Sequence, residues 1–444
     1  MPLLLYLARF RLAIFISGLL PIVSAQGSDL LEIYDLAKAN DPEIAAQRYL
    51  YQAELTRVDQ SRAAFKPQLE LGAGGGLERD AIDSGSVDAD DTYGTANANL
   101  VLDQQIYNRA NRITVEQSEQ SAKQAEILLR DAEQDLVVRV AGAYFSVLAA
   151  EDNLDLAVSE KRSISRQLEL ARERLEVGLG TNTDLFEAQA RFKLSEADEI
   201  QARNTINQAQ LSLAELIGRL PDALERLNLN HQLTVPQPEN VEFWANSAVG
   251  GNLDILAAQY DVDLSRRDID REQAGNGLTL GLNLRHNYNY DDGGINQVSD
   301  LHSNRTSAMI NLRLPFYQGG LIRARTQEAS ERFHASEQRL EGIERTANSQ
   351  ARQSYLDVIS TVSQVRALEQ AVTASESALD AKEEGFKAGI NTNIEVLDAQ
   401  RDLFFAKRDH LQARYNYILN ALRLQLAIGD LDVEDLRTYN DWLE

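Results

Sequence analysis

Leu278-Thr279-Leu280-Gly281-Leu282-Asn283-Leu284-Arg285-His286-Asn287-Tyr288-Asn289-Tyr290 alternates with a period of two. Leu278, Leu280, Leu282 and Leu284 fall on one face, which Tyr288 and Tyr290 complete. Thr279, Gly281, Asn283, Arg285, Asn287 and Asn289 fall on the other. Successive Cβ atoms of an extended chain point to opposite sides, so the stretch reads as a strand with one apolar and one polar face. Residues 305–316 repeat the pattern, with Ala308, Ile310, Leu312, Leu314 and Phe316 against Ser307, Met309, Asn311 and Arg313. So do residues 94–106, where Ala96, Ala98, Leu100 and Leu102 alternate with Thr95, Asn97, Asn99 and Val101, and residues 68–78, with Leu69, Leu71, Ala73 and Leu77 on one side. Dyad segments of about ten residues ending in aromatics suit a membrane β-barrel. A soluble, half-buried sheet shows the same alternation, and the pattern alone leaves both open.

Around these strands the chain repeats itself. Ala143-Tyr144-Phe145-Ser146-Val147-Leu148 returns as Ser354-Tyr355-Leu356-Asp357-Val358-Ile359, and Val177-Gly178-Leu179 as Ala388-Gly389-Ile390. Thr181-Asn182-Thr183-Asp184 returns as Thr392-Asn393-Ile394-Glu395, and Ile217-Gly218 as Ile428-Gly429. Every pair is offset by 211 residues, which argues for a tandem duplication. Each half reads as helix, two strands, long helix, shorter helix. The first has helices over 29–65, 109–176 and 183–217, with Asp29 as a cap and Pro67 as a stop; the second has helices over 247–274, 321–387 and 392–427. Residues 26–220 form the first repeat and 247–430 the second, with a linker at 221–246 and a tail at 431–444.

The stretch 109–176 holds 68 residues without a proline, about 100 Å of helix. The two shorter helices of that half together reach nearly the same length, so they can stack end to end against it. In the second long helix Leu340, Ala347, Ala351, Tyr355, Val358, Val362, Val365, Leu368 and Val372 recur mostly in steps of three and four, as in a coiled-coil seam. An ordinary antiparallel bundle shows this pattern too.

Composition narrows the function. The chain has 444 residues, 68 acidic against 44 basic, and a net charge of −24, which disfavours a nucleic-acid partner. With no cysteine and two methionines, thiol chemistry and disulfide scaffolds are excluded. The five histidines show no metal spacing, the glycines at 72–76 lack a phosphate-loop ending, and no catalytic constellation or cofactor motif is recognisable. Arg9 and Arg11 precede a short apolar run that ends at Val23-Ser24-Ala25; residues 1–25 are expected to be a signal peptide cleaved after Ala25.

Four strands cannot close a barrel, and open edges are not tolerated in lipid. Two copies would supply eight strands, whose interior side chains fill. A conduit needs a trimer or a larger assembly.

The marks Ala143-Tyr144-Phe145, Arg174-Leu175-Glu176-Val177-Gly178-Leu179, Leu314-Pro315-Phe316-Tyr317-Gln318-Gly319-Gly320, Val396-Leu397-Asp398-Ala399 and Arg414-Tyr415-Asn416-Tyr417-Ile418-Leu419, taken in order with the duplication, resemble the TolC family of outer-membrane efflux and secretion ducts over essentially the whole chain beyond the signal. The resemblance implies a mixed α+β membrane protein: a trimeric 12-stranded β-barrel, four strands per chain, continuous with a long α-helical coiled-coil barrel in the periplasm. It implies a passive homotrimeric channel seated in outer-membrane lipid. A periplasmic adaptor and an inner-membrane pump or ABC transporter would recruit it, and it would need no cofactor.

The resemblance also places a periplasmic gate at the hairpin tips. There an aspartate accepts bonds from a tyrosine and an arginine. Asp184, with Thr183 beside it, matches the acceptor side, while Phe386 stands at the tyrosine position and Asn391 at the arginine position. Without the hydroxyl and the charge, the closing network is expected to be weaker or differently built. Glu395 and Asp398 take the family's acidic pore constriction, and Gly178 and Gly389 its adaptor-docking tips. Plainer roles stand beside these: the glycines as helix C-caps, and Asp184 and Glu395 as acids favoured at helix N-termini. Of the competing classes, an exported enzyme lacks a site, and a periplasmic coiled-coil adaptor leaves the four strands and the duplication without a purpose. An export duct accounts for all of them.

Overall fold

The structure is a computed structural model that describes residues 27–83, 85, 88–294 and 300–444; the expected signal peptide lies outside the described residues. The elements run α1 (Leu30–Asn40), α2 (Pro42–Ala63), β1 (Gln68–Asp83), β2 (Asp88–Asn108), α3 (Arg109–Glu176), α4 (Asn182–Ile217), α5 (Val241–Gly251), α6 (Leu253–Gln273), β3 (Thr279–Asp291), β4 (Leu301–Arg313), α7 (Leu321–Lys387), α8 (Asn393–Ile428) and α9 (Val433–Asn440).

Two expected helices are broken. The segment 29–65 divides at Asp41, whose carboxylate accepts the Glu43 and Ile44 N–H groups while Pro42 occupies the first position of α2. Proline suits that position because its missing N–H is unneeded there. The segment 247–274 starts earlier, at Val241, and divides at Asn252, whose side chain caps α6 through the Ile255 N–H. Strand β4 spans 301–313 rather than 305–316, since Pro315 cannot donate to a ladder and Phe316, 92% exposed, already belongs to the connection. Strands β1 and β2 extend past their expected outer ends, and α9 was not anticipated.

The long helices hold as read. Asn108 caps α3 through the Ala110 and Asn111 N–H groups, and the 68 residues run to Glu176. Helices α1, α2 and α4 lie along α3, and α5, α6 and α8 along α7, so short helices stack in line against each long one. In α7 the buried positions include Ala347, Ala351, Tyr355, Val358, Val362 and Val365, the middle of the anticipated seam.

The core sits where these stacks meet at mid-height. Leu30, Ile33 and Tyr34 of α1 pack with Leu136, Val140, Tyr144 and Phe145 of α3 and with Tyr415, Ile418 and Leu422 of α8. Tyr144 donates its hydroxyl to the Ser28 and Glu225 carbonyls at 3.1 and 2.9 Å, satisfying the one polar atom of a buried ring. The linker and the tail wrap this belt: Leu227 bridges Leu443, and Trp442 stacks on His231 and Tyr417.

The sheet has order β1-β2-β3-β4, antiparallel throughout. Its register carries the leucine face of β3 across all four strands. Leu284 lies opposite Leu102 and Ala308, His286 opposite Leu100 and Thr306, Leu102 opposite Leu69, and Leu100 opposite Leu71. Asn99, Asn287, Arg285, Arg305 and Gly72 share the reverse face. Among the described residues no helix packs along either face, and both β1 and β4 are free edges. No described helix is long and apolar enough to cross a membrane.

Candidate functional site

The turns that join α3 to α4 and α7 to α8 are built alike. Gly178 and Gly389 have φ of 76° and 77°, a left-handed conformation that side chains resist. After each, two amides converge on one carbonyl: Leu179 and Gly180 on Arg174, Ile390 and Asn391 on Gly385. The turns thereby push Leu179 and Ile390 outward, 75% and 81% exposed. Each glycine follows directly on the helix C-cap, Val177 or Ala388, and stands beside an exposed aliphatic side chain.

The next helices begin with matching reciprocal capping boxes. The Thr181 hydroxyl accepts the Asp184 N–H, and Asp184 Oδ2 accepts from Thr181 N and Oγ1 at 3.1 and 2.7 Å. Thr392 and Glu395 repeat the arrangement 211 residues on. A cap needs an acid three residues past the threonine, which accounts for Asp184 and Glu395 locally. Thr183 is exposed and forms no side-chain bond.

Within the chain, Asp184 meets neither Phe386 nor Asn391. Asn391 turns back onto its own hairpin and donates to Glu395 at 3.2 Å. Its side chain sits over Gly385, where a Cβ would collide with it. Phe386 instead lies beneath Arg174 of the other hairpin, with the guanidinium 4.5 Å from the ring centre. A ring without a hydroxyl still offers its negative face to a cation, so this contact ties the two tips together.

Glu395 and Asp398 line one surface cavity with Ser375, Ala378, Lys382 and Asp402. Neither carboxylate stands alone. Lys382 donates to Glu395 at 2.9 Å, and this bond, followed by the Thr392 N–H and Asn391, holds the carboxyl at about 2. Asp398 accepts from Arg191 of α4 at 2.6 Å, with Arg401 3.6 Å away. Arg191–Asp398 is therefore a second tie between hairpins. Beside it, burial first and Asp198 second raise the Glu160 carboxyl to about 7.

A third tie is apolar. Leu397 of α8, 3% exposed, joins Ile164, Ala171 and Ala188 of the first hairpin, with Leu168 and Phe192 packed around them. Sequence reading overlooked Leu397, Arg174, Arg191 and Lys382 as contacts at the tips. Leu397 and Arg174 stood in the recognised motifs, but their partners lie some two hundred residues away, and only the fold pairs them. Among the described residues no group of His, Asp and Glu side chains is arranged to hold a metal ion.

The chain matches the model of the outer membrane efflux protein family over residues 33–219 and 244–430. It is 34% identical to outer membrane protein TolC of Vibrio cholerae over 98% of both chains. It is 28% identical to the alkaline protease secretion protein AprF of Pseudomonas aeruginosa over 92% of this chain and 85% of the relative. Its fold superposes on the Campylobacter jejuni CmeC outer membrane channel with a TM-score of 0.78 at 14% identity, covering 94% of this chain and 90% of that one. The chain belongs to the outer membrane efflux protein family and is a channel protein of the outer membrane.

Proposed function

We propose that three copies of the chain assemble into a passive exit duct that carries cargo across the periplasm and the outer membrane. The supporting observation is the sheet. One face is apolar in every strand, the other is rich in asparagine and arginine, and both edges are unpaired. In lipid such edges must pair, and three four-stranded sheets joined edge to edge give the 12-stranded barrel expected of the family. A purely periplasmic adaptor would leave Leu69, Leu71 and Leu77, each at least 68% exposed, facing water.

The two repeats then supply two hairpins per chain, and their tips form the periplasmic gate. Glu395 and Asp398 form the acidic constriction. Thr183, Asp184, Phe386 and Asn391 stand at the closing contacts, where Arg174–Phe386 replaces a hydroxyl-to-carboxylate bond. Gly178 and Gly389 present the docking tips to a periplasmic adaptor, which links the duct to an inner-membrane pump or ABC transporter. Relatives named for efflux and for protease secretion support an export role.

The test compares neighbouring residues on β2. Leu100→Arg faces lipid, and such a charge costs about 2–4 kcal/mol at mid-bilayer. Asn99→Arg faces the lumen and should be tolerated. Cross-linking of outer membranes should yield trimers for the parent and Asn99→Arg and few for Leu100→Arg. Only monomers and dimers in the parent, or equal yields from the two variants, refute the reading.

A further inference from the structure

On the polar face of the sheet, Arg285 of β3 pairs in register with Ser307, and Arg305 of β4 with Asn287. The two arginines are thus diagonal neighbours on adjacent strands, about 7–8 Å apart at the backbone. Both are exposed, and neither side chain has an ion pair or hydrogen bond. The surroundings leave them unpartnered. The residues level with Arg305 are Asn287, Asn99 and Gly72, and one step further out come Ser303, Asn289, Asn97 and Gly74, all without charge. The one acid level with Arg285 is Glu70, two strands away beyond Val101, at about 10 Å; one step further in, Asp103 of β2 lies diagonal to Arg285 and accepts from Asn283 Nδ2 at 2.7 Å, so Arg305 stands at the acid-free level. Acids return on this face towards the outer end, with Asp291, Glu78 and Asp80.

We propose that Arg285 and Arg305 form an anion-binding belt inside the barrel that takes polyanionic solutes, those bearing several phosphates or carboxylates. The proposal rests on the trimeric duct reading, which makes the polar face the lumen. Twelve strands spaced about 4.8 Å and tilted about 40° close a cylinder of roughly 12 Å backbone radius. The Debye length at physiological salt is about 8 Å, and inward side chains shorten the remaining distance. The fields of six guanidinia therefore overlap on the axis. Guanidinium binds phosphate and carboxylate through paired parallel donors. A chain with a net charge of −24 thereby keeps a local positive step, set between acids at the outer mouth and acids at the periplasmic constriction.

The experiment uses full-length trimers in planar bilayers, with inositol hexakisphosphate added on the barrel side. The parent should be blocked, and the block should weaken as KCl is raised from about 50 to about 200 mM. Arg285→Gln with Arg305→Gln should weaken it at least about tenfold, as expected for losing a charge-assisted hydrogen bond, while Arg285→Lys with Arg305→Lys, which keeps the charge but not the paired donors, restores part of it. If the double exchange yields no trimers, Arg305→Gln alone, at the acid-free level, makes the same comparison. Channels that conduct but show no block, or the same block in parent and glutamine variants, overturn the belt and leave the duct standing. Failure of the parent to form channels overturns the duct reading and the belt with it.

Discussion

Replacing Leu397 by alanine should open the periplasmic end more than removing either polar tie. Of the contacts that join the hairpins within a chain, three lie towards the tips, and their strengths differ. Arg191 and Asp398 are 32% and 40% exposed, so solvent screens the pair and it contributes about 0.2–1 kcal/mol. Arg174 over Phe386 is a tip contact worth about 0.5–1 kcal/mol. Leu397 is 3% exposed and is the one buried member of its cluster drawn from the second hairpin. Truncating a buried leucine costs about 2–5 kcal/mol; a cluster this small belongs at the lower end, near 2 kcal/mol. That is about a 30-fold shift per chain away from the joined state. Single-channel recordings should show Leu397→Ala with a higher resting conductance than Arg191→Ala or Arg174→Ala, and Leu397→Met close to the parent. Cross-linked trimer yield separates opening from failure to assemble. If Leu397→Ala conducts like the parent while Arg191→Ala opens the channel, the ranking is wrong and charge pairing holds the tips.

Lys382→Ala should strengthen block by trivalent metal ions added from the periplasmic side, because it frees Glu395; Glu395→Ala with Asp398→Ala should abolish the block, and equal block in all three channels would refute a role for the constriction. Burial and Asp198 hold the Glu160 carboxyl at about 7, above its ordinary 4.5, so the folded state binds the extra proton between those values and loses stability as pH rises through them. Glu160→Gln should therefore flatten the decline in thermal midpoint between about pH 5 and pH 8, and an unchanged slope would count against that assignment. Asp41→Ala removes the cap of α2 and strands Arg139, whose Nη1 lies 2.9 Å from the buried carboxylate; a loss of about 2–4 kcal/mol is expected in denaturant unfolding, and a loss below about 0.5 kcal/mol would show that Asp135 and Glu43 suffice for Arg139.

The limits of α3 were legible because its signals are local: an unbroken helical pattern free of proline and Gly178 just past its end. The alternation of β3 was equally local, and register then carried its apolar face across the sheet. The break at Asp41-Pro42 had a local signal as well, an acid cap followed by proline at the first helical position, but the apolar pattern runs through it and hid it. Asn252 offers no proline; its Oδ1 caps α6 through the Ile255 N–H, and its Nδ2 donates to the Ala427 carbonyl at 3.1 Å. The turns and capping boxes at the tips could be inferred from the 211-residue repeat. The ties Arg174–Phe386, Arg191–Asp398 and Leu397 to the first hairpin could not, because they depend on how two rods lie beside each other. Glu395 and Asp398 looked like bare acids; the cations that neutralise them come from α7 and α4.

The in-line stacking of short helices against α3 and α7 also makes the molecule a pair of levers. The stacks are jointed near the mid-height belt, where α1, α5, α9, the linker and the tail all gather. From within it α4 and α8, 36 residues each, run to the tips, about 54 Å of uninterrupted helix. A rotation of about 5° at the belt displaces a tip by roughly 5 Å over that arm. Motion too slight to disturb Tyr144 or Phe145 in the core is multiplied at the far end into a displacement as wide as a side chain is long.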